Sequence, residues 1–546
     1  MTAADDREDG FHPLGERWEA ELESMLEETE YDTELGFEMA EDAQRLVAGE
    51  LTDAEFHAKY HERVLEEFGE DERPTADAFE ADRGESASLL EALASLEGDG
   101  EQGRRELLKK LGVGGAAIGL GAMATGSGDA GADAPEARAD EADGSTQWGM
   151  TLDLEVCDGC LSCVTACSSE NNLDRGVNWM YIIAYEDETV SAPDNGQTRE
   201  YPYLIRPCQH CADAPCEKVC PTTARHTRNR DGLVLTDYDI CIGCRYCQVA
   251  CPYGVNYFQW DEPDVSEEAI VDFHADEEGD HIHDERGRPV GSRAPRGVMS
   301  KCTFCPTRQD GHMGDEKVGT AACMEACPPG AIQFGDTNDP TSDASIYAEF
   351  PALGRALSAL YGLGGGGPSP ETVEDQLDEL DEDELSVDDL DDLEDLSADQ
   401  VAVFRAIEIL TADFDVDTET DQLRSMGPKI GDVREILELL ADAGLDLDDE
   451  AVLADLDLGD GDEDDAQERL QAVYGSPESR FRLLEETGTN PNVTYLGNEP
   501  GPSAEQVPGP VAYELGYERA DGSNPSLVDD RKEVLDESTV DGGFFG

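Results

Sequence analysis

Cysteine is the residue that most constrains what this chain can fold into. All 16 cysteines of the 546-residue chain lie between Cys157 and Cys327, in four groups of four with none left over. In chain order, the groups are quartet one (Cys157, Cys160, Cys163, Cys167), quartet two (Cys208, Cys211, Cys216, Cys220), quartet three (Cys241, Cys244, Cys247, Cys251) and quartet four (Cys302, Cys305, Cys323, Cys327).

The spacing within the quartets is typical of iron–sulfur ligation. Quartets one and three are each a C-x2-C-x2-C-x3-C run of eleven residues. Three thiolates two residues apart can bind three irons of one cubane, while the fourth binds a different cluster. Gly159 and Gly243 allow the backbone to bend closely around such a core. Proline follows the last cysteine of quartets two, three and four and directs the chain away. The sequence therefore predicts four [4Fe–4S] clusters.

Two other uses of cysteine compete with this interpretation. Disulfides are disfavoured because C-x2-C pairs are too local to form a useful framework. Zinc sites use two cysteine pairs separated by a longer arm, which describes quartet four when it is read alone. Quartets one and three are too compact for that arrangement, so zinc stays an alternative for quartet four only.

Charge separates the cysteine-rich centre from its flanks. The chain has 127 acidic and 38 basic residues, a net charge of −89, yet residues 151–340 contain only 33 acidic against 15 basic residues. Such acidity opposes phosphate binding, so we expect no nucleic-acid partner. It is typical of a halophilic protein that is solvated in concentrated salt. No apolar run reaches the roughly 18–20 residues of a spanning helix. The flanks are interpreted as mostly accessory sequence.

Several segments resemble a known family. They are "LDLEVCDGCLSCVTACSSENN", "PCQHCADAPCEKVCPTTA", "DYDICIGCRYCQVACPYGV", "KCTFCPTRQD" and "CMEACPPGAIQFGD". Together they resemble the iron–sulfur subunits of molybdopterin oxidoreductases, such as the B chains of dimethyl sulfoxide reductase and polysulfide reductase and the NrfC-type proteins. The resemblance covers about residues 147–340 and returns at 481–497. The 17-residue gap inside quartet four departs from the family pattern.

The resemblance implies that the quartets share ligands in pairs, giving four cofactor-binding sites. These are site 1 (Cys157, Cys160, Cys163, Cys327), site 2 (Cys302, Cys305, Cys323, Cys167), site 3 (Cys208, Cys211, Cys216, Cys251) and site 4 (Cys241, Cys244, Cys247, Cys220). The fold implied is α+β, with two ferredoxin-like two-cluster units in tandem. Short strands before a quartet ("MTLDLEV", "LVLTDYD") and short helices after it ("VTACSSEN", "QVACPYG") fit this class.

The chain divides into five predicted segments. They are an acidic helical region (1–102), a twin-arginine-like signal with a linker (103–146), the tandem ferredoxin domains (147–340), an acidic, partly disordered insertion (341–477) and a tail that returns to the ferredoxin core (478–546). In the first segment, Thr52 and Glu55 form a capping box, apolar residues then recur every four residues from Phe56, and Gly69 ends the helix. In the insertion, short amphipathic helices such as "FRAIEIL" and "VREILELL" are predicted.

Residues 104–124 resemble a twin-arginine export signal, with paired arginines before an uncharged stretch and a plausible cleavage site at Ala124. About a hundred residues precede it, which is unusual, and a Gly/Ala-rich linker is the alternative. Export would place the protein on the extracytoplasmic face of the membrane, held there by partner subunits; a cytoplasmic location is the alternative.

Three further groups of residues carry weaker signals. His57 and His61 could bind a metal but are expected on the solvated edge of a helix. A histidine group between quartets three and four could bind a divalent ion but is expected in an exposed loop (His274, His281, His283). A basic group after quartet two could dock an acidic partner or raise a nearby potential, although solvated arginines in a turn are expected (Arg225, Arg228, Arg230).

We find no nucleophile–base constellation, phosphate loop or dinucleotide fingerprint, so the chain is not expected to be an enzyme alone. The leading hypothesis is an electron-transfer subunit of anaerobic respiration. It would relay single electrons between an integral membrane, quinone-reactive anchor subunit and a molybdopterin-containing catalytic subunit. The alternatives are a free-standing polyferredoxin, an iron–sulfur subunit of a hydrogenase or other respiratory complex, and a zinc-stapled interaction protein.

Overall fold

A computed structural model describes most of the cysteine-rich centre and its two flanks. The described residues are 12–13, 15–81, 146–173, 177–187, 201–260, 290, 294–360, 368–379, 385–393, 396–414, 425–501 and 504–507. The twin-arginine-like segment and the group His274, His281 and His283 lie outside these residues. No helix among the described ranges has the length and apolar character needed to cross a bilayer.

Three helices form the N-terminal region: α1 (Gly15–Glu27), α2 (Thr33–Val47) and α3 (Asp53–Phe68). The predicted capping box is confirmed, since the Thr52 side chain accepts from the Glu55 backbone N–H and the Glu55 carboxylate accepts from that of Thr52. Gly69 ends α3 in the left-handed conformation at φ 80°. Phe56, Tyr60 and Val64 of the apolar stripe are fully buried and Phe68 is partly buried, so the four-residue period marks a core-facing helix.

The N-terminal helices pack directly on the cysteine-rich centre. Tyr246, adjacent to Cys247, donates a 2.6 Å hydrogen bond to the carbonyl of Asp32. Arg245 donates a 2.6 Å hydrogen bond to the carbonyl of Met25. Buried side chains of α1, α2 and α3 belong to the same apolar core as those around the cysteines. This region is therefore part of the central fold, whereas the sequence suggested accessory sequence.

The centre consists of short elements around the cysteine loops. Its helices are α4 (Ser162–Glu170), α5 (Pro215–Lys218), α6 (Tyr246–Val249), α7 (Pro306–Gln309) and α8 (Ala322–Glu325). Its strands are β1 (Trp148–Asp153), β2 (Tyr181–Glu186), β3 (Tyr203–Arg206), β4 (Arg225–Thr227), β5 (Val234–Thr236), β6 (Tyr257–Phe258), β7 (Met299–Ser300) and β8 (Ile332–Asp336). The strands and helices predicted around quartets one and three are confirmed by β1, α4, β5 and α6.

A helical domain follows the centre. It comprises α9 (Asp343–Glu349), α10 (Pro351–Leu360), α11 (Pro370–Glu379), α12 (Ala398–Leu410), α13 (Gly427–Asp442), α14 (Glu450–Asp455) and α15 (Glu463–Tyr474). The predicted amphipathic helices are confirmed as α12 and α13. Phe404, Ile407 and Ile430 are among the fully buried side chains of a separate apolar core. The described part of the insertion is thus a folded domain, although its acidic composition suggested partial disorder.

One buried ion pair joins this domain to the centre. The Arg355 guanidinium contacts the carboxylate of Asp153, at the end of β1, with Nε 2.7 Å from Oδ2 and Nη2 3.1 Å from Oδ1. Asp153 is fully buried, and the Tyr347 hydroxyl also donates to it at 3.2 Å. A buried charge needs such partners, so the helical domain is fixed to β1.

The C-terminal segment returns to the centre through β9 (Arg480–Phe481), β10 (Val493–Leu496) and β11 (Glu505–Val507). A four-stranded sheet has the order β8-β1-β10-β9, with β1 antiparallel to β8 and parallel to β10. A second sheet has the order β11-β2-β3, and β4-β5 and β6-β7 form two-stranded pairs. Strands from both ends of the segment 148–507 therefore meet beside quartets one and four.

Candidate metal centres

All sixteen cysteines are free thiols, and thirteen of them are buried. Cys160 is exposed, and Cys241 and Cys327 are partly buried. Where burial is deep it raises the pKa of the thiol, because the charged thiolate loses its hydration. The pKa of Cys241 rises in this way to about 12 and that of Cys327 to about 11. Ligation of a metal would replace the protons of these thiols and hold them as thiolates.

Mutual repulsion between thiolates shows which cysteines lie close together. After burial, the groups that raise the pKa of Cys163 are Cys157, Cys327 and Cys160. For Cys167 they are first Cys302 and Cys305. The last cysteine of quartet one is thus beside quartet four, and the last of quartet four is beside quartet one.

Quartets two and three show the same exchange. After burial, Cys208, Cys216 and Cys251 raise the pKa of Cys211. For Cys244, the corresponding groups are Cys220, Cys247 and Cys241. Cys251, the last cysteine of quartet three, therefore lies beside quartet two, and Cys220, the last of quartet two, lies beside quartet three.

Two cavities occur at these thiols. One is lined by Cys208, Cys211, Cys216 and Cys251, with Val234, Val255, Asn256 and Lys301 among its other walls. The second is lined by Cys220, Cys241, Cys244 and Cys247, with Arg225 and Met299 among its other walls. Four thiols converging on one cavity from two loops fit a cubane cluster, and the free state of every thiol fits it as well.

Quartets one and three use the same backbone conformation. Gly159 and Gly243 have φ of 69° and 67°, and Leu161 and Arg245, two residues later, have φ of 64° and 66°. A Cβ at Gly243 would lie 2.0 Å from the carbonyl oxygen of Gly297. Glycine is therefore required at Gly243 both by conformation and by a close backbone approach.

Backbone and amide N–H groups point at the sulfurs. Arg225 N lies 3.3 Å from Cys220 Sγ, and Met299 N lies 3.5 Å from Cys241 Sγ. The Asn171 amide lies 3.7 Å from Cys167 Sγ. Such donors stabilise thiolate ligands and tune a bound cluster.

The long gap of quartet four is structured by Arg308. The Arg308 guanidinium pairs with Glu170 of α4 at 2.7 Å and with Glu325 of α8 at 2.9 Å. Its Nη1 also donates to Thr320 at 2.9 Å. The gap segment between Cys305 and Cys323 thus folds back between quartets one and four, and Cys323 remains next to Cys305.

The expectation of solvated arginines is wrong for two of the three residues after quartet two. Arg225 and Arg228 are buried, whereas Arg230 is half-exposed and pairs with Asp310. Arg228 is paired with Asp231 and Asp310. A short basic run in the sequence does not show that Arg225 lines a cofactor site or that Arg228 is paired with two acidic residues.

Sequence reasoning also missed buried basic residues elsewhere. Lys301, next to Cys302, donates from Nζ to the carbonyls of Val234 and Cys302. The His210 ring stacks on Phe304, with centroids 3.8 Å apart, and its Nε2 lies 2.9 Å from the carbonyl of Cys302. The only sequence signal was their position beside a ligand candidate.

The expectation that His57 lies on a solvated edge is wrong. His57 is buried, because the segment after α3 covers it: its Nδ1 contacts Thr75 and its Nε2 lies 3.4 Å from Asp71. His61 Nδ1 lies 2.8 Å from the same carboxylate. The Arg73 guanidinium binds both Asp71 oxygens at 2.7 Å. This group, which could otherwise hold a metal ion, is therefore interpreted as an ion-paired cluster that closes the N-terminal helices.

Comparison with known proteins identifies both the N-terminal region and the centre. Residues 12–76 match a family described as the N-terminal region of 4Fe–4S ferredoxin iron–sulfur binding, and residues 199–284 match a 4Fe–4S dicluster domain. The first match agrees with the shared core of α1–α3 and the centre.

Several relatives are similar over the cysteine-rich part. A Halobacterium salinarum protein that is named as a dimethyl sulfoxide reductase iron–sulfur subunit is 39% identical over 209 residues, which is 37% of this chain and 71% of that protein. The arsenate respiratory reductase iron–sulfur subunit of a Shewanella species is 37% identical over 36% of this chain and 85% of its own. The menaquinone reductase iron–sulfur cluster-binding subunit of Nitratidesulfovibrio vulgaris is 35% identical over 36% of this chain and 77% of its own.

The fold and the cysteine sites define a [4Fe–4S] ferredoxin-type protein of mixed helix and sheet. The chain belongs to the family of iron–sulfur electron-transfer subunits that includes these three relatives. Its cofactors are [4Fe–4S] clusters, and sixteen cysteines match four of them. It is an electron-transfer component of an oxidoreductase complex and is not catalytic by itself.

Proposed function

We propose that the chain relays single electrons between a quinone-reactive membrane anchor and a molybdopterin-containing catalytic subunit. The observation that carries this is the placement of thiols at two surfaces. Cys160 of site 1 is exposed, and Cys241 of site 4 is partly buried beside the exposed Ile242. The described cysteines of sites 2 and 3 are all buried. A relay needs an entry and an exit at the surface with its intermediate stations inside the protein.

We assign the ligands as the resemblance implied: sites 1 to 4 with the sixteen cysteines given above. The exchange of last cysteines between quartets supports this assignment, as do the two cavities at sites 3 and 4. Bound [4Fe–4S] clusters would supply one-electron chemistry. The chain itself supplies the thiolates, the N–H donors to sulfur and the exclusion of water.

The ligand exchange also supports two two-cluster units in tandem. Quartets one and four would form one unit beside the β8-β1-β10-β9 sheet, and quartets two and three would form the other. In the corresponding domain division, residues 147–340 and the return after 478 form the ferredoxin core. The N-terminal helices pack on its site 4 end, and the domain at 341–477 attaches through Arg355.

An apolar surface at site 4 supports the anchor as the partner there. The large apolar residues that stay exposed include Ile242, Leu65 and Trp260, at 38%, 40% and 37% exposure. Tyr31 contacts the carbonyl of Ile242, and Phe68, one turn after Leu65, stacks near Tyr31 with centroids 5.3 Å apart. An apolar patch of this kind on an otherwise very acidic protein fits a hydrophobic partner. The catalytic subunit is then assigned to the site 1 end.

Export remains part of the proposal. The twin-arginine-like segment would carry the chain across the membrane with its clusters already inserted, to the extracytoplasmic face. Because α1–α3 share a core with site 4, we expect the segment to be retained without cleavage at Ala124.

The test is a native pulldown from membranes by the tagged chain. We expect recovery of one integral membrane subunit and one large molybdenum-containing subunit. Ile242→Glu should abolish recovery of the membrane subunit only. Val473→Glu, at a 50% exposed apolar position on α15, is the matched control and should retain both partners. Recovery of a partner-free monomer from the soluble fraction would contradict the subunit assignment and favour a free-standing polyferredoxin.

A further inference from the structure

Arg225 has an unusual position for an arginine. It begins β4, directly after quartet two, and is 1% exposed. Its backbone N–H points at Cys220 Sγ, at 3.3 Å, and its Nη2 lies 3.7 Å from Cys247 Sγ. Both sulfurs belong to site 4, so the backbone and the side chain of Arg225 contact the same site.

The same guanidinium connects two sites. Its Nη2 donates a 2.8 Å hydrogen bond to Oδ1 of Asn256. Arg225 lines the cavity of site 4, whereas Asn256 lines the cavity of site 3. Its charge also acts on Cys216 of site 3. Arg225 therefore stands in the wall between sites 3 and 4.

No carboxylate neutralises Arg225 among the residues that the structure describes. Its Nε and Nη1 are buried and have no hydrogen-bond partner in that part of the chain. Two other buried arginines of the centre are paired with carboxylates: Arg228 with Asp231 and Asp310, and Arg308 with Glu170. A buried charge without a counter-ion is strongly destabilising. The fold therefore leaves room for an anion that is not a side-chain carboxylate.

We propose that Arg225 is the counter-ion shared by sites 3 and 4, and that its charge raises the reduction potential of both, most strongly at site 4. The inference rests on the proposed ligand sets of these sites. A cluster held by four thiolates is anionic, and reduction adds one negative charge. A fixed cation at the sulfurs favours the reduced form over the oxidised form, because it attracts the more negative one more strongly.

The charge of Arg225 is permanent. A guanidinium stays protonated at any accessible pH. One electron enters the site, no bond is made or broken, and Arg225 retains its proton. The residue thus acts as a positioned charge and not as a proton carrier.

The test uses two variants of the full chain purified anaerobically. Arg225→Gln removes the charge but keeps a hydrogen-bonding amide. Asn256→Asp keeps Arg225 and places a carboxylate against its guanidinium, in nearly the same shape. Arg230→Gln, at a half-exposed arginine in the same loop, is the control. Midpoint potentials are measured by EPR-monitored titration, with sites 1, 3 and 4 assigned beforehand through Cys160→Ser, Cys211→Ser and Cys244→Ser.

At site 4, Arg225→Gln should make reduction at least tenfold less favourable at a fixed potential, which is about 59 mV for a one-electron couple. The midpoint potential of site 3 should decrease by a smaller amount, and that of site 1 should not change. Asn256→Asp should also lower the midpoint potentials of sites 3 and 4. If Arg225→Gln does not assemble its clusters, the Asn256→Asp variant alone tests the proposal. Arg230→Gln should leave all potentials unchanged.

If both variants contain all clusters and the midpoint potentials of sites 3 and 4 are unchanged, the proposed counter-ion role of Arg225 is wrong. An equal decrease in Arg230→Gln would also overturn it, since general surface charge would then be the cause. A wild-type chain without [4Fe–4S] signals would instead remove the proposed function, so the two failures are distinguishable.

Discussion

The close approach of Gly243 to Gly297 gives a sharp prediction about cluster assembly. Gly243 lies between two ligand candidates of site 4, at φ 67°. Replacing it by alanine costs about 1–2 kcal/mol for a left-handed conformation. The larger effect is steric, because the new Cβ would lie 2.0 Å from a backbone oxygen. That oxygen cannot rotate away as a side chain could.

The displacement needed decides the outcome. Non-bonded heavy atoms prefer separations of about 3.5–4 Å, so one of the two backbones must move by roughly 1 Å or more. Metal ligation tolerates deviations of only about 0.2 Å. We therefore expect Gly243→Ala to lose the cluster of site 4 and, with it, about a quarter of the iron and labile sulfide per chain.

Gly297→Ala is the matched control. Gly297 also has a positive φ, of 89°, but a Cβ there would meet nothing within 4 Å. Gly297→Ala therefore has the same unfavourable backbone conformation but no steric clash, and it should retain the iron content of the wild-type chain. The assay is iron and sulfide per chain after anaerobic purification, with EPR after reduction. Full iron in Gly243→Ala, or equal loss in both variants, would refute the steric argument.

Three further predictions concern stability. Arg355→Met should lower the free energy of unfolding by about 3–5 kcal/mol, because it leaves the Asp153 carboxylate buried without its cation; adding Asp153→Asn should recover part of the loss in urea titrations. Burial raises the pKa of Asp343 from 3.8 to about 6, so between those values the folded state holds a proton that the unfolded state releases. The stability contributed by this group is present below about pH 4 and is lost as the pH rises through 6, and Asp343→Asn should remove this part of the pH dependence in thermal unfolding. Phe56→Ala should cost about 3–5 kcal/mol, whereas Leu65→Ala on the exposed side of α3 should cost less than about 0.5 kcal/mol; equal melting temperatures of the two variants would contradict the packing of α3.

The features that the sequence predicted well are local. The cysteine spacing, the glycine inside the cysteine loops and the cap at Thr52 all depend on residues within one turn of each other, so no tertiary knowledge is needed. The pairing of quartets came from a family resemblance and not from spacing alone.

The features that were missed are long-range. Tyr246 and Asp32 are separated by 214 residues, and nothing in either segment indicates that they meet. Arg225 was expected to be solvated because most residues around it in the sequence are polar, while the cavity that it lines is built by quartets two and three. In the helical domain, amphipathic helices were predicted but their common core was not, because the acidic composition suggested partial disorder. Apolar positions such as Val401, Phe404 and Ile407 were a usable signal for that core.

The central claim is that sixteen thiolates hold four cubane clusters. Mössbauer spectroscopy of the ⁵⁷Fe-labelled chain, purified anaerobically and combined with metal analysis, tests it most directly. We expect about 16 iron atoms per chain, all in [4Fe–4S] environments, in both oxidised and dithionite-reduced samples. Tetrahedral zinc at quartet four, or iron equivalent to fewer than four clusters in the intact chain, would contradict the account.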